Sequence, residues 1–141
     1  MATRILISTS NDDLKQVRNK TVVTASTAFA TKDLGQDIEI ATDALTMTLP
    51  LITADNLGRE ILFRNTGADG AAIITISPAS ADGINGTIAN AAADSVASGV
   101  VNKNFVNTKA TANNGDYVHL RATALTKWTI VGGVGIWASQ A

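Results

Sequence analysis

Cysteine is absent from the 141-residue chain, which excludes disulfides and thiolate metal sites. The single histidine, His119, has no second imidazole to share a metal ion with. Charged residues make up 16% of the chain, below the usual share of about a quarter, and aromatics only 4%. A net charge of −1 lacks the basic excess that phosphate neutralisation requires, so nucleic acid is not an expected partner. No stretch approaches the ~18 apolar residues of a membrane span. The apolar run at residues 5 to 7 is also too short for a signal-peptide core. The chain is therefore expected to be made and used without Sec export, with no membrane partner.

What is present is β-branched and small. Hydrophobic residues account for 45%, carried by Ala, Val and Ile, enough for the core of one domain. Residues 1–20 stand apart, with Arg4, Lys15, Arg18 and Lys20 against Asp12 and Asp13. Ser10 and Asp13 form a weak capping box for a helical turn in which Leu14 and Val17 share a face. So short a terminal segment reads as an arm that either frays or docks on a partner.

From residue 21 to 141 the period is two. Ile38 and Ile40 alternate around Glu39, and Leu45, Met47 and Leu49 alternate around threonines until Pro50 ends the strand. Further strands are expected at residues 61–64, at Ile74 and Ile76, across residues 116–121, and at Trp128 and Ile130, with Gly132-Gly133 as a break. Short strands separated by turn residues indicate an all-β, single-domain β-sandwich, jelly-roll-like or a small barrel, with an extended N-terminal arm. Residues 89–99 have helical composition, but their Ser, Asp and Gly make a long loop an equal expectation. Between residues 66 and 102 there is no Lys or Arg, and the only charges are Asp69, Asp82 and Asp94. Part of that span is expected in a core or an interface.

The supply of reactive groups is thin. His119 falls on the outward face of its strand, no nucleophile-elbow motif accompanies a serine, and the glycines at 132, 133 and 135 lack phosphate-loop spacing. Asp82-Gly83-Ile84-Asn85-Gly86 comes closest to a site. Calcium loops alternate their acids and close with a glutamate, neither of which occurs here, whereas Asp-Gly and Asn-Gly are common tight-turn pairs. The segment therefore reads as a positive-φ turn, and neither catalytic residues nor a cofactor or metal are expected. Trp128 is expected in the core. Trp137, close to the C-terminal end of the sequence, packs on its own sheet or anchors a subunit contact.

The order of several motifs resembles a recurrent β module of tailed-bacteriophage virion proteins, found in capsid decoration (cement) proteins and some head- or tail-fibre proteins. The segments are LTMTLPLI, EILFRNTGADGAAIITISPASADGING, NTKATANNGDYVHL and KWTIVGGVGIWA, which together span most of residues 38 to 137. Within them lie Thr48-Leu49-Pro50, Asn65-Thr66-Gly67, the strand ending at Pro78, Asp82 to Gly86, Gly115 to Leu120 and Trp128 to Ile130. The first ~35 residues have no counterpart in the module. The resemblance implies a non-enzymatic virion protein, made in the host cytoplasm, that binds the outer surface of an icosahedral capsid. There it would cement neighbouring major capsid protein subunits, and closed symmetry favours a homo-oligomer, dimer or trimer. Arg4, Lys15 and Arg18 would then lie on the capsid, with Ile136 and Trp137 at a subunit or self-association contact. The alternative is a phage head- or tail-fibre module for attachment or host receptor recognition. A small carbohydrate-binding sandwich is a third reading, for which Tyr117, Trp128 and Trp137 are the only large polar-edged aromatics.

Overall fold

Alternation of apolar and polar residues gives each strand one buried edge, and two sheets meet over those edges. The computed structural model describes residues 19 to 140. Their strands are β1 (Asn19–Val23), β2 (Thr27–Ala28), β3 (Gln36–Ile40), β4 (Leu45–Thr48), β5 (Glu60–Asn65) and β6 (Ile74–Ser77). They continue with β7 (Gly83–Ile88), β8 (Ser95–Val101), β9 (Phe105–Asn107), β10 (Tyr117–Ala124), β11 (Lys127–Val134) and β12 (Trp137–Ser139). Single 3-10 turns lie at Thr31–Asp33 and Lys109–Thr111. Asn19 and Lys20, which the sequence grouped with the arm, belong to β1.

The all-β sandwich is therefore what the chain forms. One sheet has seven strands in the order β1-β3-β5-β10-β11-β7-β8, and the other has five in the order β12-β9-β6-β4-β2. Ile38, Ile40, Phe63, Val118, Leu120 and Trp128 of the first sheet share one core with Met47, Ile74, Ile76 and Phe105 of the second. Each such side chain contributes roughly 1.5–3 kcal/mol on burial. Phe29 meets Phe63 edge-on, with ring centroids 5.6 Å apart, so the short β2 segment is held from its far end.

The winding differs from a succession of hairpins. The chain crosses from one sheet to the other at every step from β1 to β6. Consequently β1, β3 and β5 run parallel in one sheet while β2, β4 and β6 run parallel in the other. From β7 onward, hairpins such as β7–β8 and β10–β11 take over. Period-two alternation is the same in both arrangements, so it specifies faces and leaves strand direction open.

Three local expectations are corrected. The turn lies at residues 79 to 82, where Asp82 N–H donates to Ala79 O at 2.8 Å, and Gly83 already opens β7. Asp82 is buried, and its Oδ2 accepts the Ile52 N–H at 2.9 Å, tying the segment after Pro50 to the start of β7. Gly132-Gly133 does not interrupt β11, because Gly133 leaves room for Ile88: a Cβ there would lie 2.6 Å from Ile88 Cδ1. Residues 95–99 of the ambiguous segment belong to strand β8, which runs on to Val101, and residues 89–94 are its approach.

Charge pairs fasten the loops. Asp43 accepts from Lys109 Nζ and from the Ile73 N–H, the latter at 2.9 Å, so three distant segments meet at one carboxylate. The Lys109 hydrogen bond, followed by that of Ile73, holds the Asp43 carboxyl below its ordinary value of 3.8. A carboxyl depressed by folding stabilises the native state above its unfolded value and loses that contribution as pH falls through the folded one. Asp43→Asn is therefore expected to lower stability at neutral pH, where the contribution is fully present, and to flatten the acid limb, so that variant and parent converge below about pH 4. Urea unfolding at a series of pH values measures this, and an acid limb identical to the parent's would refute it.

Candidate functional site

Two features stand out on the surface, and they adjoin. The first is a division of the outward face of the seven-stranded sheet. On β1, β3, β5 and β10 the outward residues include three charged pairs, with Val22 open beside Glu39. Lys20 meets Glu39 at 3.3 Å, Arg64 meets Asp37 at 3.2 Å, and His119 Nε2 lies 2.6 Å from Glu60. The Arg64 guanidinium also sits 5.0 Å from the centre of the Tyr117 ring.

On β11, β7 and β8 the outward residues carry no charge beyond Lys127 at the β11 start. Thr129 stands beside Asn85, Asn85 pairs with Ser98, and Thr87 pairs with Val96. Their side chains bond to one another: Thr123 to Thr129 at 2.6 Å, Thr129 to Asn85 at 3.1 Å and Ser98 to Ser139 at 3.2 Å. Val96 is 55% exposed and Val131 47%, with Val100 and Val134 similarly open. Residues 83–88 and 95–101 of the span without basic residues lie on this half, as β7 and β8.

The second feature is a cleft of about 500 Å³ where the cleft-side ends of β8, β11 and β12 meet. Its walls are the alanines at 91, 92 and 93 with Val134 and Ile136, and its polar groups include Asn90, Asp94, Asn113 and Asp116. Among the described residues, no Lys, Arg or His lines it. Ser95 Oγ fixes one wall to the other by accepting the Trp137 N–H at 2.9 Å and the Asn90 Nδ2 donor, also at 2.9 Å.

Beneath the cleft runs a buried chain of amides. Asn65 Nδ2 donates to Asn107 Oδ1 at 2.8 Å, and its Oδ1 accepts the Gly67 N–H at 2.9 Å. Asn107 Nδ2 donates to Asp116 Oδ2 at 3.0 Å and to Ile136 O at 3.1 Å. Asp116 Oδ2 also accepts the Asn113 N–H at 3.0 Å. The network joins β5 and the start of β10 in one sheet to β9 and the approach to β12 in the other. Gly135, at φ +100°, passes directly over the carboxylate, and a Cβ there would lie 2.2 Å from Asp116 Cγ.

The residues singled out from sequence are distributed unevenly. Arg4, Lys15 and Arg18 lie outside the described residues. Trp137 is 2% exposed, stacked on Phe105 at 5.6 Å, with its indole N–H donating to Val134 O at 3.1 Å. Its ring is inside its own domain, and β12 pairs with β9. Ile136 beside it is 46% exposed and faces the cleft. His119 is the partly exposed strand residue its alternation implied. Asn65, Asn107 and the segment 90–95 were not anticipated as site-forming. Asn65-Thr66-Gly67 signalled a turn, and nothing in the sequence around Asn65 or Asn107 said that their amides point inward.

Among the described residues, no three His, Asp or Glu side chains converge as metal ligands, and no helix is long and apolar enough to cross a membrane. Comparison of the chain with models of protein families and with characterised proteins finds no match, so the functional reading rests on the fold and on these two surface features.

Proposed function

We propose that the chain is a structural, non-enzymatic component of a tailed-phage virion. In this reading it binds the outer surface of an icosahedral capsid and cements neighbouring major capsid protein subunits. The observation that carries the reading is the divided outer sheet face: paired charges on one half, and hydroxyls, amides and valines on the other. An uncharged strip carrying open valines loses little hydration when it meets protein, and depletion of charge marks interface cores. On the charged half Lys20, Arg64 and His119 are already engaged by Glu39, Asp37 and Glu60. Binding to the assembled shell and not to free subunits stabilises the shell by mass action.

Arg4, Lys15 and Arg18 are assigned to the capsid contact, and Ile136 to a contact with a shell subunit or a second copy. Trp137 supports Ile136 from within. Self-association as a dimer or trimer follows from closed symmetry on the particle. The test is stoichiometric. The protein is expected on purified capsids at a copy number comparable to the major shell protein, and a few copies per particle would reject cementing in favour of a fibre. Removing residues 1–18, which precede β1, is expected to abolish capsid binding while the thermal transition of the β domain persists. Unchanged occupancy would reject the arm as an attachment element.

One observation favours the fibre alternative. The parallel winding of β1 to β6 across two sheets is an arrangement that can extend by repetition, as elongated β-solenoids do.

A further inference from the structure

The cleft above Asp116 is apolar in its walls and anionic at its base, and the geometry points to a binding site for the side chain of a lysine presented by a protein partner. Asp116 is 3% exposed. Its Oδ2 is engaged by Asn107 and Asn113, whereas among the described residues no donor meets Oδ1, which lies under Gly135 at the cleft. A buried carboxylate with one oxygen open and no cation beside it is costly unless a cation completes it. Asp94 adds a second negative group at the rim, and among the described residues the lining carries no positive one. The alanines at 91 and 92 with Val134 and Ile136 suit a four-carbon aliphatic stem.

The occupant matches those parts in order: methylenes against the alanine and valine walls, and an ammonium on Asp116 Oδ1. An ammonium is preferred to a bare metal ion because, among the described residues, no three His, Asp or Glu side chains converge there to supply the several oxygen ligands a hard cation takes. It is preferred to a neutral alkyl group because the carboxylate would stay unpaired. This inference rests on the cleft alone and does not require that the partner be a capsid protein.

The test titrates the full chain with Nα-acetyl-lysine N-methylamide and, separately, with the norleucine analogue, following amide shifts of residues 91–94 and 134–136. Saturable shifts are expected with the lysine analogue, and the norleucine analogue is expected to bind about tenfold more weakly or less. Asp116→Asn keeps an oxygen to accept from Asn107 and Asn113, removes the charge, and is expected to weaken lysine-analogue binding about tenfold. Ala92→Leu fills the cleft without touching the network and is expected to abolish binding in a folded protein, so the test survives if the Asp116 variant unfolds. Equal affinity for the two analogues, saturation by neither, or the same shifts from sodium chloride alone would overturn the proposal. Tighter binding of cadaverine than of the lysine analogue would overturn the protein-side-chain occupant in favour of a free diamine.

Discussion

Gly83→Ala is expected to lower the free energy of unfolding by about 3 kcal/mol, a large part of the stability of a domain this size. Gly83 sits between β11, where it pairs with Lys127, and the irregular end of β8, where it pairs with Val101. A Cβ at this position would lie 2.4 Å from Gly99 O, 3.0 Å from Gly99 C and 3.1 Å from Val100 O. All three are backbone atoms, so no rotamer change relieves the collision. Strand β8 would have to move outward, stretching the Asn102 N–H bond to Asp82 O, now 2.9 Å, and opening the loop that buries Asp82. Gly35→Ala is the control. It has φ +90° and nothing within 4 Å of the added carbon, so only the left-handed backbone is penalised, at about 1 kcal/mol. Urea unfolding of both variants separates the two mechanisms. Equal losses would mean that the β7–β8 contact relaxes and that Gly83 is not a packing requirement.

The same glycine explains where sequence reasoning stopped. Ile38 and Ile40, Met47 and Leu49, Ile74 and Ile76, Val118 and Leu120, and Trp128 are all buried as their alternation implied, because period two is imposed by the pleat whichever strands are neighbours. Residues 82–86 read as a turn because Asp, Asn and Gly usually mark positive φ. Here Gly83 serves close approach, and only Gly86 among residues 82 to 86 has positive φ, at 125°. Ser95, Ala97, Ser98 and Gly99 of β8 carry little β-propensity signal, yet they are strand because their backbone pairs antiparallel with β7. Parallel winding was not legible, since direction depends on the crossings between sheets and not on any one strand's pattern. The cleft was not legible either: its walls come from residues 90–95, 113, 116 and 134–137, which meet only after both sheets close.

The buried amides yield the second large effect, and they show why polar residues can specify a sandwich edge. Asn107→Leu is expected to cost about 4 kcal/mol, because leucine nearly matches asparagine in size but cannot supply two donors and one acceptor. Asn65 Nδ2 would keep only Ala72 O, at 3.3 Å. Asp116 Oδ2 would keep only the Asn113 N–H, and Ile136 O would lose the donor that holds the turn into β12. The loss is larger than that of an average hydrogen bond because three partners are left short at once, and one of them carries charge. Asn65→Leu alone should cost less, since Asn107 would still hold Asp116 and Ile136. Combining the two substitutions should cost less than their sum, because the Asn65–Asn107 bond is lost only once. Urea unfolding of the two single variants and the double variant measures the coupling. Strict additivity would show that the two amides act independently, and a loss below about 1 kcal/mol for Asn107→Leu would show that the network is not what joins the sheets at the cleft.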